Sequence, residues 1–288
     1  MKDSKSITGR GAQFNPTNPF LKQEYVTEHI EGLDEPFMVE NKTHFYKENP
    51  KTLVNKVNSP DIGLMYSMNP YQGCEHGCAY CYARPTHQYW GLGAGLDFER
   101  KILVKEEAPQ LLRSFLDKYK GEPKAIMLSG NTDCYQPVER KLEITRKMLQ
   151  VLLDYRYPVG IITKNSLITR DLDILRQLAA HNLVIANISV TSLDKKVQQK
   201  LEPRTASVKS RLDTISKLTD QSIPVNVMIA PVIPGLTSHE VPAIVKEVAK
   251  RGASSVACVM VRLNGAVAPI FADWAEKNYP DRAKKILN

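Results

Sequence analysis

The sequence predicts an α/β fold in which a parallel sheet closes or curves into a partial barrel, with an extended N-terminal arm laid over it. Three observations lead there. From Ile62 onward, short runs rich in Val and Ile alternate with helix-length amphipathic segments for six units. Those runs are nearly continuous in apolar residues, as parallel strands buried on both faces require. Residues 1–60 are different: they are polar, and they balance eight basic against eight acidic side chains. Such a stretch cannot bury a core alone.

The arm, residues 1–60, is punctuated by Phe14-Asn-Pro-Thr-Asn-Pro-Phe20, Asn49-Pro-Lys51 and Asn58-Ser-Pro60, and its first dozen residues are expected to be mobile. Residues 61–288 form the main domain. Its expected strands are Gly63–Asn69, Ala125–Gly130, Val159–Thr163, Val184–Val190, Val225–Val232 and Ser255–Val261, with a short Lys101–Val104 in the first crossover. The expected helices are Glu106–Tyr119, Glu139–Tyr155, Thr169–Ala180, Val208–Leu218, Ser238–Lys250 and Ala268–Lys277, each a right-handed crossover to the next strand. Asp171 and Ser238 are read as helix starts. The alternation does not separate a partial barrel from a doubly wound open sheet. Either way the reacting groups should gather at the carboxyl ends of the strands.

The loop after the first strand carries the chemistry. It runs Asn69-Pro-Tyr-Gln-Gly-Cys-Glu-His-Gly-Cys-Ala-Tyr-Cys-Tyr-Ala83, so Cys74, Cys78 and Cys81 are spaced C-x3-C-x2-C with Tyr80 before the last. A [4Fe–4S] cluster is usually held by four thiolates; three together leave one iron open to bind and activate another molecule. Zinc wants four ligands, commonly as two pairs. Cys134 and Cys258 stand alone, and a Cys3His set would need His87, or else His76 folding back past its own ligand neighbours. Three clustered thiols cannot all pair as disulfides, and no secretory context is visible. The cluster is the leading reading and zinc the alternative.

This spacing, with its aromatic, is the signature of the radical S-adenosylmethionine (SAM) superfamily, which the chain resembles. The words Asn-Pro-Tyr-Gln-Gly-Cys, Cys-Tyr-Ala-Arg-Pro-Thr-His and Asn-Thr-Asp-Cys-Tyr-Gln-Pro-Val-Glu resemble the spore photoproduct lyase-related group of bacterial members, over approximately residues 60–288. The resemblance implies a partial (β/α)6 barrel, a [4Fe–4S] cluster on the three cysteines, SAM on the open iron, and an electron donor such as flavodoxin or ferredoxin. It implies an enzyme of lyase or transferase type, in which reductive cleavage of SAM yields a 5′-deoxyadenosyl radical that abstracts hydrogen from the substrate. A nucleic-acid base or photoproduct is the substrate class that the basic body and the lyase-like words suggest. The alternative is an iron–sulfur or zinc protein that binds nucleic acid or senses redox state without turnover.

Groups to meet SAM occur at the strand ends. Gly130, Asn131, Thr132 and Asp133 form a turn whose carbonyls and carboxylate could accept from an ammonium; an Asx-type turn capping the next helix is the structural alternative. The resemblance implies that Lys164 pairs with the SAM carboxylate, against the alternative of a solvated lysine. Asn187, Ser189 and Thr191 share one face of their strand, and Ser189 and Thr191 are candidates for the ribose or the SAM carboxylate. Arg204 and Arg211, in a Glu-Pro-Arg segment and the helix after it, are candidates for SAM or substrate, with a helix-surface position the alternative for Arg211. Ile233 and Gly235 lie in a segment resembling the group's adenine contact, where Gly235 would let backbone approach the ring. Cys134 is a hydrogen-atom donor candidate. The cysteine that spore photoproduct lyases use precedes the turn; here Gly130 occupies that place and Cys134 follows. A buried packing role is the alternative, and Cys258 is expected to be packing. The helical end Asp281–Asn288 has no cap, and the resemblance implies either a longer natural chain or the loss here of a segment that helps close the substrate pocket.

Composition narrows the classes. With 42% hydrophobic and 24% charged residues the chain reads as globular. No apolar run approaches the ~20 residues that span a bilayer, so the expected place is the cytoplasm, with no membrane partner. The net charge of +8 lies entirely in residues 61–288 and permits polyanion binding, but no run of five or six Lys/Arg marks a site. If the charge serves a nucleic-acid substrate, binding to labelled oligonucleotides will fall steeply with salt yet keep a preference that heparin does not erase. Indiscriminate binding abolished by heparin at moderate salt would point to a merely basic surface.

Overall fold

The computed structural model describes residues 7–21, 42–57 and 66–287. In chain order the elements are β1 (His44–Lys47), β2 (Asn55–Lys56), β3 (Tyr66–Met68), β4 (Tyr71–Gln72), α1 (Leu96–Arg100), β5 (Lys101–Val104), α2 (Ala108–Lys118) and β6 (Ile126–Leu128). There follow α3 (Glu139–Leu142), α4 (Ile144–Asp154), β7 (Val159–Thr163), α5 (Leu172–Ala180), β8 (Val184–Ser189), α6 (Lys195–Leu201) and α7 (Val208–Thr219). The last are β9 (Val225–Val232), α8 (Val241–Ala249), β10 (Ser255–Met260), α9 (Val267–Asn278) and α10 (Ala283–Leu287). Short 3-10 turns lie at Arg84–Trp90, Ser166–Asp171 and Ser238–Glu240.

The main sheet has the order β10-β9-β8-β7-β6-β3-β2, with every pair parallel except β2–β3. Successive parallel strands are therefore neighbours, as single crossovers dictate. A row of apolar side chains crosses five of them in register: Met68, Leu128, Ile161, Ala186 and Val225. This face belongs to one core cluster with Leu112 of α2, Met148 and Leu152 of α4, Leu175 of α5, Ile215 of α7 and Ile244 of α8. The opposite face carries Ser67, Met127, Gly160, Asn187, Ser189, Asn226 and Met228. All these helices cover one face, so the sheet is wound one way as in a barrel, not doubly wound. Its end strands are not paired with each other among the described residues.

Several expectations need correction. Lys101–Val104 lies in the first crossover, but as the middle strand of a second sheet, β1-β5-β4. The helix expected over Glu139–Tyr155 breaks at Glu143, whose φ is +52°. The break follows from Glu139, whose carboxylate turns into the core to accept from Tyr71 and Arg170 and also caps α4 by accepting from the Thr145 amide at 3.1 Å. Asp171 caps nothing with its side chain; it accepts from Tyr135, Arg146 and Arg170 instead. Ser238 begins only a 3-10 turn ahead of α8. Helix α6, missed in the sequence, starts at Asp194, which accepts from the amides of Lys196 and Val197. Cys258 is exposed, because β10 is an edge strand with one neighbour.

The arm is not all loose. Arg10 and Ala12, within the dozen residues expected to be mobile, are 7% and 1% exposed, and β1 and β2 each pair with the main domain. Residues 1–6, 22–41 and 58–65 and Asn288 lie outside the described residues, and with them part of the expected arm, the start of the first strand and the chain's last residue.

Glu139 is the most exacting contact in this frame, because three elements use one carboxylate with no exposed surface. Glu139→Ala leaves the Tyr71 hydroxyl without its acceptor and takes one of two carboxylate partners from Arg170, which keeps Asp171, and should cost about 1–3 kcal/mol in urea unfolding. A loss under about 1 kcal/mol, the size of an exposed ion pair, would show that the network is replaceable.

Candidate metal and cofactor site

The cysteine loop has little secondary structure of its own, so distant segments hold it. The Cys74 amide donates to the Phe98 carbonyl at 2.9 Å, and the Ala79 amide to Leu201 at 3.1 Å. The Glu75 amide donates to Gln136 at 2.9 Å, and the Glu75 carboxylate accepts from the Val138 amide at 2.8 Å. Arg84, with no exposed surface, donates twice to the Cys78 carbonyl, at 2.8 and 3.1 Å. All three loop thiols are free; Cys74 and Cys78 are buried and Cys81 half-buried.

Burial pushes the Cys74 thiol well up, with Asp133, Cys78 and Cys81 adding to it. Burial and then Glu202 do the same to Cys78. A cationic centre bound to the sulfurs would reverse both shifts. Among the described residues no three His, Cys, Asp or Glu side chains converge closely enough to hold a single metal ion.

The turn after β6 is rigid. Ser129 has φ +73°, and the Asn69 side chain accepts from the amides of Asn131 and Thr132 at 3.0 and 3.4 Å. A Cβ on Gly130 would stand 2.4 Å from the Ser67 hydroxyl, so a side chain there would require Ser67 to turn aside. Tyr82, just after the last cysteine and 62% exposed, donates to the Gly130 carbonyl.

Asp133 differs from its expected role. One oxygen accepts from the Tyr135 amide (2.9 Å) and the Thr163 hydroxyl (2.8 Å); the other accepts from the Lys164 amide at 2.8 Å and lies 3.3 Å from His76 Nδ1. Burial pushes its carboxyl up, but His76 and these donors outweigh that and hold it at about 2. With both oxygens doubly engaged, it has no lone pair left for an ammonium. The Asx-turn alternative describes it better.

Lys164 directly follows β7. Its ammonium lies 5.9 Å from the centre of the Tyr80 ring and forms no ion pair with a described carboxylate. Burial pushes its pKa down, but Cys78 and Glu202 outweigh that and raise it, so it stays charged. A half-buried cation that lies over a ring face and near Glu202, with no ion pair among the described residues, suits an incoming carboxylate.

Glu202, outside the expected site residues, organises the rest. Its carboxylate has no exposed surface and accepts from the Tyr80 hydroxyl, from Thr191 at 2.7 Å and from Arg211. Arg211 is 1% exposed and spends its other donors on the carbonyls of Ser189 (3.1 Å) and Ala206 (2.9 Å). Thr191 and Arg211 thus brace the site, correcting both the cofactor contact and the helix-surface alternative for Arg211. Only the word Glu-Pro-Arg hinted at Glu202, since nothing local in a sequence marks a buried acid. Arg204 stays at the loop, 3.4 Å from Glu75.

Ser189 lies on the helix-free face beside Met228, where Asn187, Asn226 and Ser255 form a hydrogen-bonded ladder of 2.8 and 2.9 Å. Ile233 has no exposed surface and packs in one cluster with Cys78, Tyr80 and Trp274. Gly235 allows a close approach, but to α10: a Cβ there would stand 3.1 Å from Lys285. Cys134 is fully buried in the main core, among Tyr71, Tyr135 and Met148. A hydrogen-atom donor must touch its substrate, and this placement favours the packing alternative.

The sequence profile of the Radical SAM superfamily matches residues 68–248. An uncharacterised protein of Mycobacterium tuberculosis is 30% identical over 234 residues, covering 80% of this chain and 69% of that protein. The radical SAM Nα-GlyT isomerase of Pseudomonas phage M6 is 25% identical over 218 residues, 75% of this chain and 43% of its own length. Among solved structures, spore photoproduct lyase complexed with dinucleoside spore photoproduct superposes with a TM-score of 0.62 at 17% identity. The match covers 82% of this chain and 66% of that one.

Lys164→Ala should weaken SAM binding by about 1.5–3 kcal/mol, the worth of a charge-assisted hydrogen bond, without changing cluster content. Calorimetric titration of the reconstituted protein checks this, and an unchanged Kd would return Lys164 to a structural role.

Proposed function

The chain belongs to the radical SAM superfamily, and from that premise we propose that it is an enzyme holding a [4Fe–4S] cluster on Cys74, Cys78 and Cys81, with SAM across the carboxyl ends of β6 to β9. The observation that carries this is the union of three free thiols in one loop with the unpaired Lys164 ammonium over Tyr80. Once bound and given an electron by a flavodoxin or ferredoxin, the two cofactors supply a 5′-deoxyadenosyl radical.

The protein's own task is to orient and to exclude water. Lys164 meets the SAM carboxylate. The turn carbonyls around Gly130 and Asn131 take the ammonium in place of the saturated Asp133. Tyr80, held by Glu202, walls the pocket, and Ser189 offers a hydroxyl to the ribose. The substrate enters against the helix-free face, where Ser67 lies on the same side as the Asn187–Asn226 ladder.

We read the substrate as a nucleic-acid base, modified or damaged. The lyase structure with its dinucleoside photoproduct supports this class. So does the +8 charge. Among the described residues no helix is long and apolar enough to cross a membrane; the cytoplasm, where thiols stay reduced, suits the cluster. The second reading, a nucleic-acid-binding or redox-sensing cluster protein without turnover, shares these features and differs in one measurable respect.

Anaerobic reconstitution with dithionite and SAM separates the two, because only the enzyme produces 5′-deoxyadenosine. Replacing Cys74, Cys78 or Cys81 singly by Ala should abolish both the brown chromophore and that product. Cys134→Ala and Cys258→Ala should retain the chromophore. A chromophore lost with Cys134 would mean a four-thiolate site and no open iron.

A further inference from the structure

We propose that the N-terminal segment Arg10–Ala12 is part of the cofactor centre, and that Arg10 and Gly11 are positioning residues for the cysteine loop. The proposal rests on the reading that this loop holds an iron–sulfur cluster. It stands on contacts between parts of the chain nearly ninety residues apart.

Glu99, at the end of α1, has no exposed surface. Its carboxylate accepts from the Gly11 amide at 3.2 Å, from the Ala12 amide at 2.8 Å and from Arg84 at 2.5 Å. Arg84 in turn grips the Cys78 carbonyl. One carboxylate therefore ties the arm to the backbone of a cluster ligand. Arg10 adds a second tie, donating to the Glu99 carbonyl at 2.7 Å and to the Thr43 hydroxyl at 3.1 Å.

The arm also lies directly on the spacer between Cys74 and Cys78. A Cβ on Gly11 would stand 1.8 Å from the Gly77 carbonyl oxygen and 3.0 Å from the Ala79 amide. A Cβ on Gly77, whose φ is +66°, would stand 2.8 Å from the Glu99 carboxylate and 3.3 Å from the Gly11 amide. Two glycines face each other across a contact with no room for any side chain. Cluster ligands in an irregular loop take their positions from such surrounding contacts, and a backbone laid over the spacer keeps water and dioxygen off that side.

The test uses the full-length protein with Gly11→Ala, which drives a methyl group into Gly77, and Arg10→Ala, which removes the side-chain ties alone. In the apoprotein, alkylation of Cys74, Cys78 and Cys81 by iodoacetamide, read by mass spectrometry, should quicken about tenfold or more, the factor for one charge-assisted hydrogen bond lost. The melting temperature should move by no more than a few degrees. After reconstitution, the chromophore of either variant should bleach in air several times faster than that of the wild type. Should Gly11→Ala fail to fold, Arg10→Ala carries both readouts. Wild-type alkylation and bleaching rates in the folded variants would overturn the proposal. A wild-type protein that takes up no iron would instead sink the cluster reading, and alkylation would then decide alone whether the arm holds the loop.

Discussion

A carboxylate with no contact with water persists only where donors surround it, and Glu202 is the point to which this site is tied. Tyr80 from the cysteine loop, Thr191 from beyond β8 and Arg211 from α7 all donate to it. Removing a charge of this kind from water costs several kcal/mol, returned only if the geometry is kept. The cysteine loop, the end of β8 and the start of α7 are thereby held in one arrangement. Lys164, whose charge Glu202 helps sustain, is left with its ammonium unspent.

The one-sided winding of the sheet creates the second condition. Helices α2, α4, α5, α7 and α8 share a core with one face of the strands, so the other face is free to be polar. Asn187 and Asn226 could not sit on a face packed by helices without unmet hydrogen bonds; here they satisfy each other and Ser255. The same winding gathers the cysteine loop, the Gly130 turn and Lys164 at one end of the strands.

Much of this was legible in the chain. Most of the parallel strands declare themselves by apolar runs, the later four rich in Val and Ile, and Val159–Thr163 and Val225–Val232 match in full, because burial of a strand is written locally in composition. The three cysteines are legible for a different reason: metal-ligand spacing is a property of a single loop. Elements that depend on a distant partner were not readable. Glu143 in a left-handed conformation reads as helix until Glu139 is seen reaching for Tyr71 and Arg170. The winding of the sheet is equally hidden, since an alternating pattern is the same in a barrel and in an open sheet.

By itself, then, the sequence determined the class of fold, the place of the cysteine loop after the first strand of the main sheet, and the grouping of three cysteines in that loop, all properties of residues near one another in the chain. Only the tertiary structure decided which charged groups are spent and which are free. Asp133 and Lys164 look alike in the sequence as polar residues at strand ends, yet four donors saturate the first, while the ammonium of the second lies over an aromatic ring with no ion pair among the described residues. The physical reason is that hydrogen-bond valence is filled by whatever lies nearest in space. For Asp133, His76 and Thr163, the partners that do this lie some 57 and 30 residues away in the chain.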